Sequence, residues 1–69
     1  MTCRLLIGLV NVPVPLNFVV ESPEEAARIA QKIKDYTKGY GWVIITDVEN
    51  GRVCTLRLEY ASYTILQRV

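Results

Sequence analysis

The chain contains no histidine. That removes the commonest general base, the commonest metal ligand and the side chain that titrates near neutrality. Cysteine is nearly as scarce: Cys3 and Cys54 alone. One pair cannot make a disulfide framework, and with no mark of secretion the expectation is two reduced thiols in a cytoplasmic protein. An excess of one charge sign is missing too. Eight Lys and Arg face seven Asp and Glu, a net charge of +1, so nothing global draws the chain to nucleic acid or to a membrane surface.

Long apolar runs are absent. The stretch from Leu5 to Val20 is broken by Asn11, Pro13, Pro15 and Asn17 and falls short of the ~20 residues a membrane span needs. Its uninterrupted part, Leu5 to Val10, is too short for a signal-peptide core. No phosphate-cradling glycine motif occurs, because Gly39-x-Gly41 lacks the following glycine and opens a strand. With no histidine, no metal-ligand cluster and no nucleophile–base pair, the sequence predicts neither an enzyme nor a cofactor or metal site. Glu21, Glu24 and Glu25 gather at a helix start, where capping and the helix dipole already account for carboxylates.

What the chain has is apolar side chain, 51% against 22% charged. A domain of 69 residues buries only about 60% of the surface its unfolded form exposes, and its core supplies roughly 3–5 kcal/mol. So much apolar surface is hard to hide in one small monomer, and self-association, most simply as a dimer, is the first expectation.

The helix is marked most clearly. Ser22 offers an N-cap hydroxyl, Pro23 takes the first helical position, and Glu25 completes a capping box. Ala26, Ile29, Ala30, Ile33 and Thr37 recur at the spacing of one helical stripe. Lys34 and Lys38 stand near the negative end of the dipole, and Gly39 follows as a C′ residue. The pattern predicts a helix from Pro23 to Lys38.

The remainder reads as strand: Leu5–Val10, Leu16–Val20, Trp42–Val48, Val53–Leu58 and Tyr63–Gln67. Asn-Val-Pro-Val-Pro separates the first two, since proline cannot donate to a ladder. Asn50-Gly51 between two apolar runs signals a two-residue type I′ hairpin turn, pairing Glu49 with Arg52, Val48 with Val53 and Ile45 with Leu56. The expected fold is α+β: one domain, residues 1–69, with a single antiparallel sheet of four to five strands and one helix on one face, in the order β-β-α-β-β-β.

That register divides the hairpin into faces. Val43, Ile45, Cys54, Leu56 and Leu58 point toward the helix, and Cys54 there behaves as a small hydrophobe. Trp42, Ile44, Thr46, Val48, Val53, Thr55 and Arg57 point away. One helix covers one face of a sheet, and the second face is too apolar for indifferent solvent contact. Trp42, Ile44, Val48, Val53 and Arg57 are therefore the candidate interface, with an edge strand as the other route to a homo-oligomer. Cys3, near the amino terminus, reads either as an exposed, oxidisable thiol or as part of a frayed strand, and Arg57 and Glu59 are expected to take cross-strand partners.

Lys38-Gly39-Tyr40-Gly41-Trp42-Val43-Ile44-Ile45 resembles the ribonucleoprotein octamer of RNA-recognition motifs and the Lys-Gly-Tyr-Gly-aromatic run of cold-shock domains. The resemblance implies single-stranded nucleic acid stacking its bases on Tyr40 and Trp42 while Lys38, aided by Arg57, meets phosphate. Ile45 stands where those families carry an aromatic. The octamer here follows a helix directly, and no second helix comes after it. The same letters also serve as a helix cap and a strand start.

Across the whole chain, Ile7-Gly8, Asn11-Val12-Pro13, Glu21-Ser22, the helix, Thr46-Asp47 and Gly51-Arg52-Val53 are similar to a family of short uncharacterised actinobacterial proteins. The resemblance implies the β-β-α-β-β-β order and no particular chemistry. This sequence carries extra residues near Pro15.

Overall fold

A computed structural model describes residues 1–39 and 41–68. Five strands and one α-helix follow one another as β1 (Cys3–Leu9), β2 (Leu16–Val20), α1 (Pro23–Asp35), β3 (Trp42–Asp47), β4 (Arg52–Arg57) and β5 (Ala61–Arg68), with a 3-10 turn at Leu58–Tyr60. The α+β class and the element order agree with expectation. The single sheet does not: β2-β1-β5 form a three-stranded antiparallel sheet, and β3-β4 form a two-stranded one.

The physical reason lies in how little the helix can cover. Of its 13 residues only Ala26 and Ile29 are buried. Five strands in one layer would leave much of their inner face open beneath so short a lid. Instead the hairpin turns its own apolar face inward. Val43, Ile45 and Leu56 join Leu5, Ile7 and Phe18 in one core, and Ile29 reaches into the same core from the helix. Each sheet shields the other where the helix does not reach.

Ser22 caps the helix as the sequence predicts, its hydroxyl accepting from the Glu25 N–H at 3.2 Å. The far end is shorter than predicted. Helical backbone stops at Asp35, and Tyr36 takes an extended conformation. Tyr36 packs against the core and its hydroxyl donates to the Gly39 carbonyl at 2.7 Å. Unwinding the last turn lets the ring reach both. Gly39 does adopt positive φ, but as part of the connection and not as the C′ residue.

Both neighbours of β1 run antiparallel to it, with Cys3 opposite Val20 on one side and Arg68 on the other. Cys3 is buried, which corrects the expectation of a frayed, oxidisable end: strands on both sides hold it. Gly8 faces Tyr63 across the β1–β5 ladder, and a Cβ at Gly8 would lie 2.0 Å from the Tyr63 ring. The ring lies across the bare glycine backbone. Because Tyr63 is half exposed its ring can swing aside, so Gly8→Ala should lower stability by about 1 kcal/mol without abolishing the fold. In a Tyr63→Ala background that loss should vanish. An unchanged loss in urea titrations of the double variant would show that the ring is not its cause.

Candidate functional site

The candidate face depends on the β3–β4 register, and the turn is not the one predicted. Asp47 pairs with Arg52, Ile45 with Cys54 and Trp42 with Arg57, two residues out of step with a two-residue loop. Val48, Glu49, Asn50 and Gly51 form a four-residue turn, with Gly51 at φ 65°. A slip of two residues moves partners along the ladder and preserves faces, because side chains alternate with period two. Val43, Ile45, Cys54 and Leu56 still point inward. Trp42, Ile44, Val53 and Arg57 still point outward.

The turn is wider because Asp47 and Val48 are engaged elsewhere. The Val48 N–H donates to the Val19 carbonyl at 2.8 Å, and the Val19 N–H donates to Asp47 Oδ1 at 3.2 Å. These two bonds tie the hairpin to the outer edge of β2. Asp47 Oδ2 accepts from Asn50 Nδ2 at 2.9 Å and from Arg52 Nη2 at 3.0 Å. The side chain is fully buried. Its hydrogen bond from the Asn50 amide, then those from the Arg52 guanidinium and the Val19 and Glu49 backbone, outweigh burial and lower the carboxyl pKa from 3.8 to about 2. Sequence reasoning missed this residue and paired Arg52 with Glu49. An Asp immediately before a turn containing Asn-Gly was the available signal, since such carboxylates bond forward into the turn.

The outer face so fixed is open. Trp42 is 59% exposed, Ile44 56%, Val53 69% and Val48 43%. Val48 marks the turn end of the stripe, Trp42 the opposite end, and Ile44 lies between; at the rise of an extended strand the stripe is about 20 Å long. On the outward face of the two strands, Thr46 and Thr55 supply the polar breaks before Arg57. Arg57 sits opposite Trp42, its guanidinium 5.6 Å from the centre of the Tyr60 ring and paired with Glu59 at 3.0 Å. Tyr60, half exposed, was not singled out from the sequence. It lies in the 3-10 turn, where strand periodicity gives no signal. The Arg57–Glu59 pairing also corrects the expected cross-strand pairs: the two bond each other, two residues apart.

The octamer is only partly assembled into this face. Lys38 is exposed beyond the helix end, while Gly41 lies against Leu58 and Tyr36. Tyr40 lies outside the described residues. Cys54 is half-buried and lines a cleft of about 290 Å³ with Leu16 and Phe18. Among the described residues no group of three or more Cys, Asp or Glu side chains is placed to hold a metal ion, and no helix is long and apolar enough to cross a membrane. Chemically the face offers apolar area, two aromatic rings and one guanidinium already balanced by a carboxylate. Trp, Tyr and Arg in one cluster are the residue types that dominate the centres of protein contacts. Comparison with protein-family models, curated proteins and solved structures yields no match to the chain.

Proposed function

We propose that the chain is a non-enzymatic interaction module that acts as a homo-oligomer and holds out the outer face of the β3–β4 hairpin for recognition. The observation that carries the recognition face is the exposed stripe of Trp42, Ile44, Val48 and Val53 beside Arg57 and Tyr60. Among the described residues every buried side-chain nitrogen and oxygen has a hydrogen-bond partner, so the interior leaves no polar side-chain atom unmet.

Light scattering should give a mass above that of the 7.8 kDa chain at micromolar concentration. A strict monomer across the accessible range would sink the homo-oligomer. Ile44→Asp, a change on open surface, should alter folding stability by no more than about 0.5 kcal/mol and remove recognition by the face.

A second reading is single-stranded nucleic-acid binding through Lys38, Trp42 and Arg57, with Tyr40 as the octamer resemblance implies. The exposure of Trp42 beside a guanidinium favours it, and the Glu59 carboxylate on that guanidinium opposes it. Trp42 is the only tryptophan, so its fluorescence during titration with a mixed single-stranded oligonucleotide reads the contact directly. Saturable quenching that weakens with salt, together with weaker binding and a salt slope smaller by about 1 on Lys38→Ala, supports that reading. Unchanged emission at low salt removes it.

A further inference from the structure

Strand β5 is an edge. It pairs with β1 on one side, and among the described residues no strand occupies its other side. Edges in monomeric proteins are shielded by proline, by bulges, by charge or by brevity. This one runs for eight residues, ASYTILQR, with no proline and its sole charge at Arg68. Its one irregularity, a register shift beside Leu9 and Ala61, lies at the start and leaves Tyr63 to Arg68 regular.

The space along this edge is already shaped. Cavities of about 640 and 550 Å³ flank Leu66, which lines both. The first lies between β5 and Ala27, Ala30, Gln31 and Lys34 of the helix. The second reaches Pro23 at the helix start. Leu66 stands opposite Leu5, on the core side of its sheet, yet is 43% exposed where Leu5 is 0%. The trench follows the strand, and nothing among the described residues closes it.

From this we infer that two copies pair β5 to β5′ antiparallel about a two-fold axis, giving a continuous six-stranded sheet in the order β2-β1-β5-β5′-β1′-β2′. This rests on the homo-oligomer proposed above and assigns its contact. The strand is complementary to itself. Centred on Ile65, antiparallel pairing places Leu66 opposite the second copy's Thr64, Gln67 opposite its Tyr63 and Arg68 opposite its Ser62. The two arginines fall at opposite ends, about 20 Å apart at strand rise, so no like charges meet.

The helices complete the contact. α1 lies closer to β5 than to β1 or β2, so a two-fold axis beside β5 sets the two helices next to each other on one face of the joined sheet. On the helix, the residues lining the space beside β5 include Ala27 and Ala30, small enough for close approach. Strand pairing alone gives less than the about 800 Å² per partner of a stable interface, and the proposed contact adds to it the burial of Leu66 and the adjoining helix surface. The β3–β4 hairpin takes no part, and the dimer carries two copies of its open face.

The test is light scattering on the intact chain and three variants, with circular dichroism to confirm folding. Leu66→Glu and Ala27→Glu should each be folded monomers at concentrations where the parent is a dimer, and Ile44→Asp should remain a dimer. Amide exchange in β5 should be slow in the dimer and speed up on dilution. Ala27 is exposed on a helix, so its variant keeps the test alive should Leu66→Glu not fold. A parent that is monomeric throughout refutes the homo-oligomer itself. A parent dimer broken by Ile44→Asp but not by Ala27→Glu leaves the homo-oligomer standing and refutes the β5 contact. A monomeric chain whose β5 amides slow only on adding an unrelated extended peptide also overturns the second copy as occupant.

Discussion

Replacing Asp47 by Ala should leave the chain largely unfolded in dilute buffer. The carboxyl is held at about 2 against 3.8, and at about 1.4 kcal/mol per pH unit this corresponds to roughly 2 kcal/mol of stability at neutral pH. The substitution also strands the Val19 N–H, whose hydrogen bond ends on Asp47, at a cost of about 1–3 kcal/mol. Together these rival the roughly 3–5 kcal/mol available to a core of this size. Asp47→Asn keeps an acceptor for Val19 but gives up the ion pair with Arg52, and should fall between the parent and the alanine variant.

The sign of the pH dependence follows from the direction of the shift. A carboxyl whose pKa is lower folded than unfolded binds more protons when unfolded, so its contribution is complete above the unfolded value. It is lost as pH falls from about 4 toward about 2. The urea midpoint of the parent should drop across that window, and Asp47→Asn should show a flatter profile. An alanine variant with the parent's midpoint would remove Asp47 from any role in holding the sheets together.

The second large effect is expected at Ile29, the one large helix side chain that is fully buried. Ile29→Ala should cost about 2–5 kcal/mol, from lost transfer energy and the cavity left behind. Ile33 is only partly buried, and Ala26, though buried, has little side chain to lose. The helix thus has no substitute anchor. Ile29→Val, which trims one methylene, should cost about 1 kcal/mol. Urea titration followed by far-ultraviolet circular dichroism separates the two. Near-identical midpoints for alanine and parent would mean that the helix is held by something other than its core stripe.

Much of this architecture was legible because the signals were local. Ser22, Pro23 and Glu25 announce a helix start through bonds that span three residues, and the structure has that cap. The hairpin faces were legible for a subtler reason. The predicted register was wrong by two, an even number, so each side chain kept its side while changing its partner. What was not legible depended on contacts distant in sequence. That Val48 bonds Val19, and that Asp47 thereby widens the turn, cannot be read from the turn's own letters. The division into two sheets is of the same kind: it follows from how little a 13-residue helix covers once Tyr36 has left it. Of the candidate face, Trp42, Ile44, Val48, Val53 and Arg57 were found through alternation. Tyr60 was not, because a 3-10 turn interrupts the period.

The position of β1 also bears on how the chain reaches this state. The strand nearest the beginning lies at the centre of its sheet, and one neighbour is the last strand: Cys3 Sγ meets the Gln67 carbonyl at 3.4 Å across a separation of 64 residues. Such a contact requires closure of a loop of 64 residues before it rewards folding, so the sheet should assemble more slowly than a helical bundle of the same size. During synthesis, the Cys3–Leu9 segment waits with one flank unpaired until the final strand emerges. A stop-flow refolding rate that slows when β5 is weakened, while unfolding is little changed, would identify closure of β5 onto β1 as the step that sets the pace.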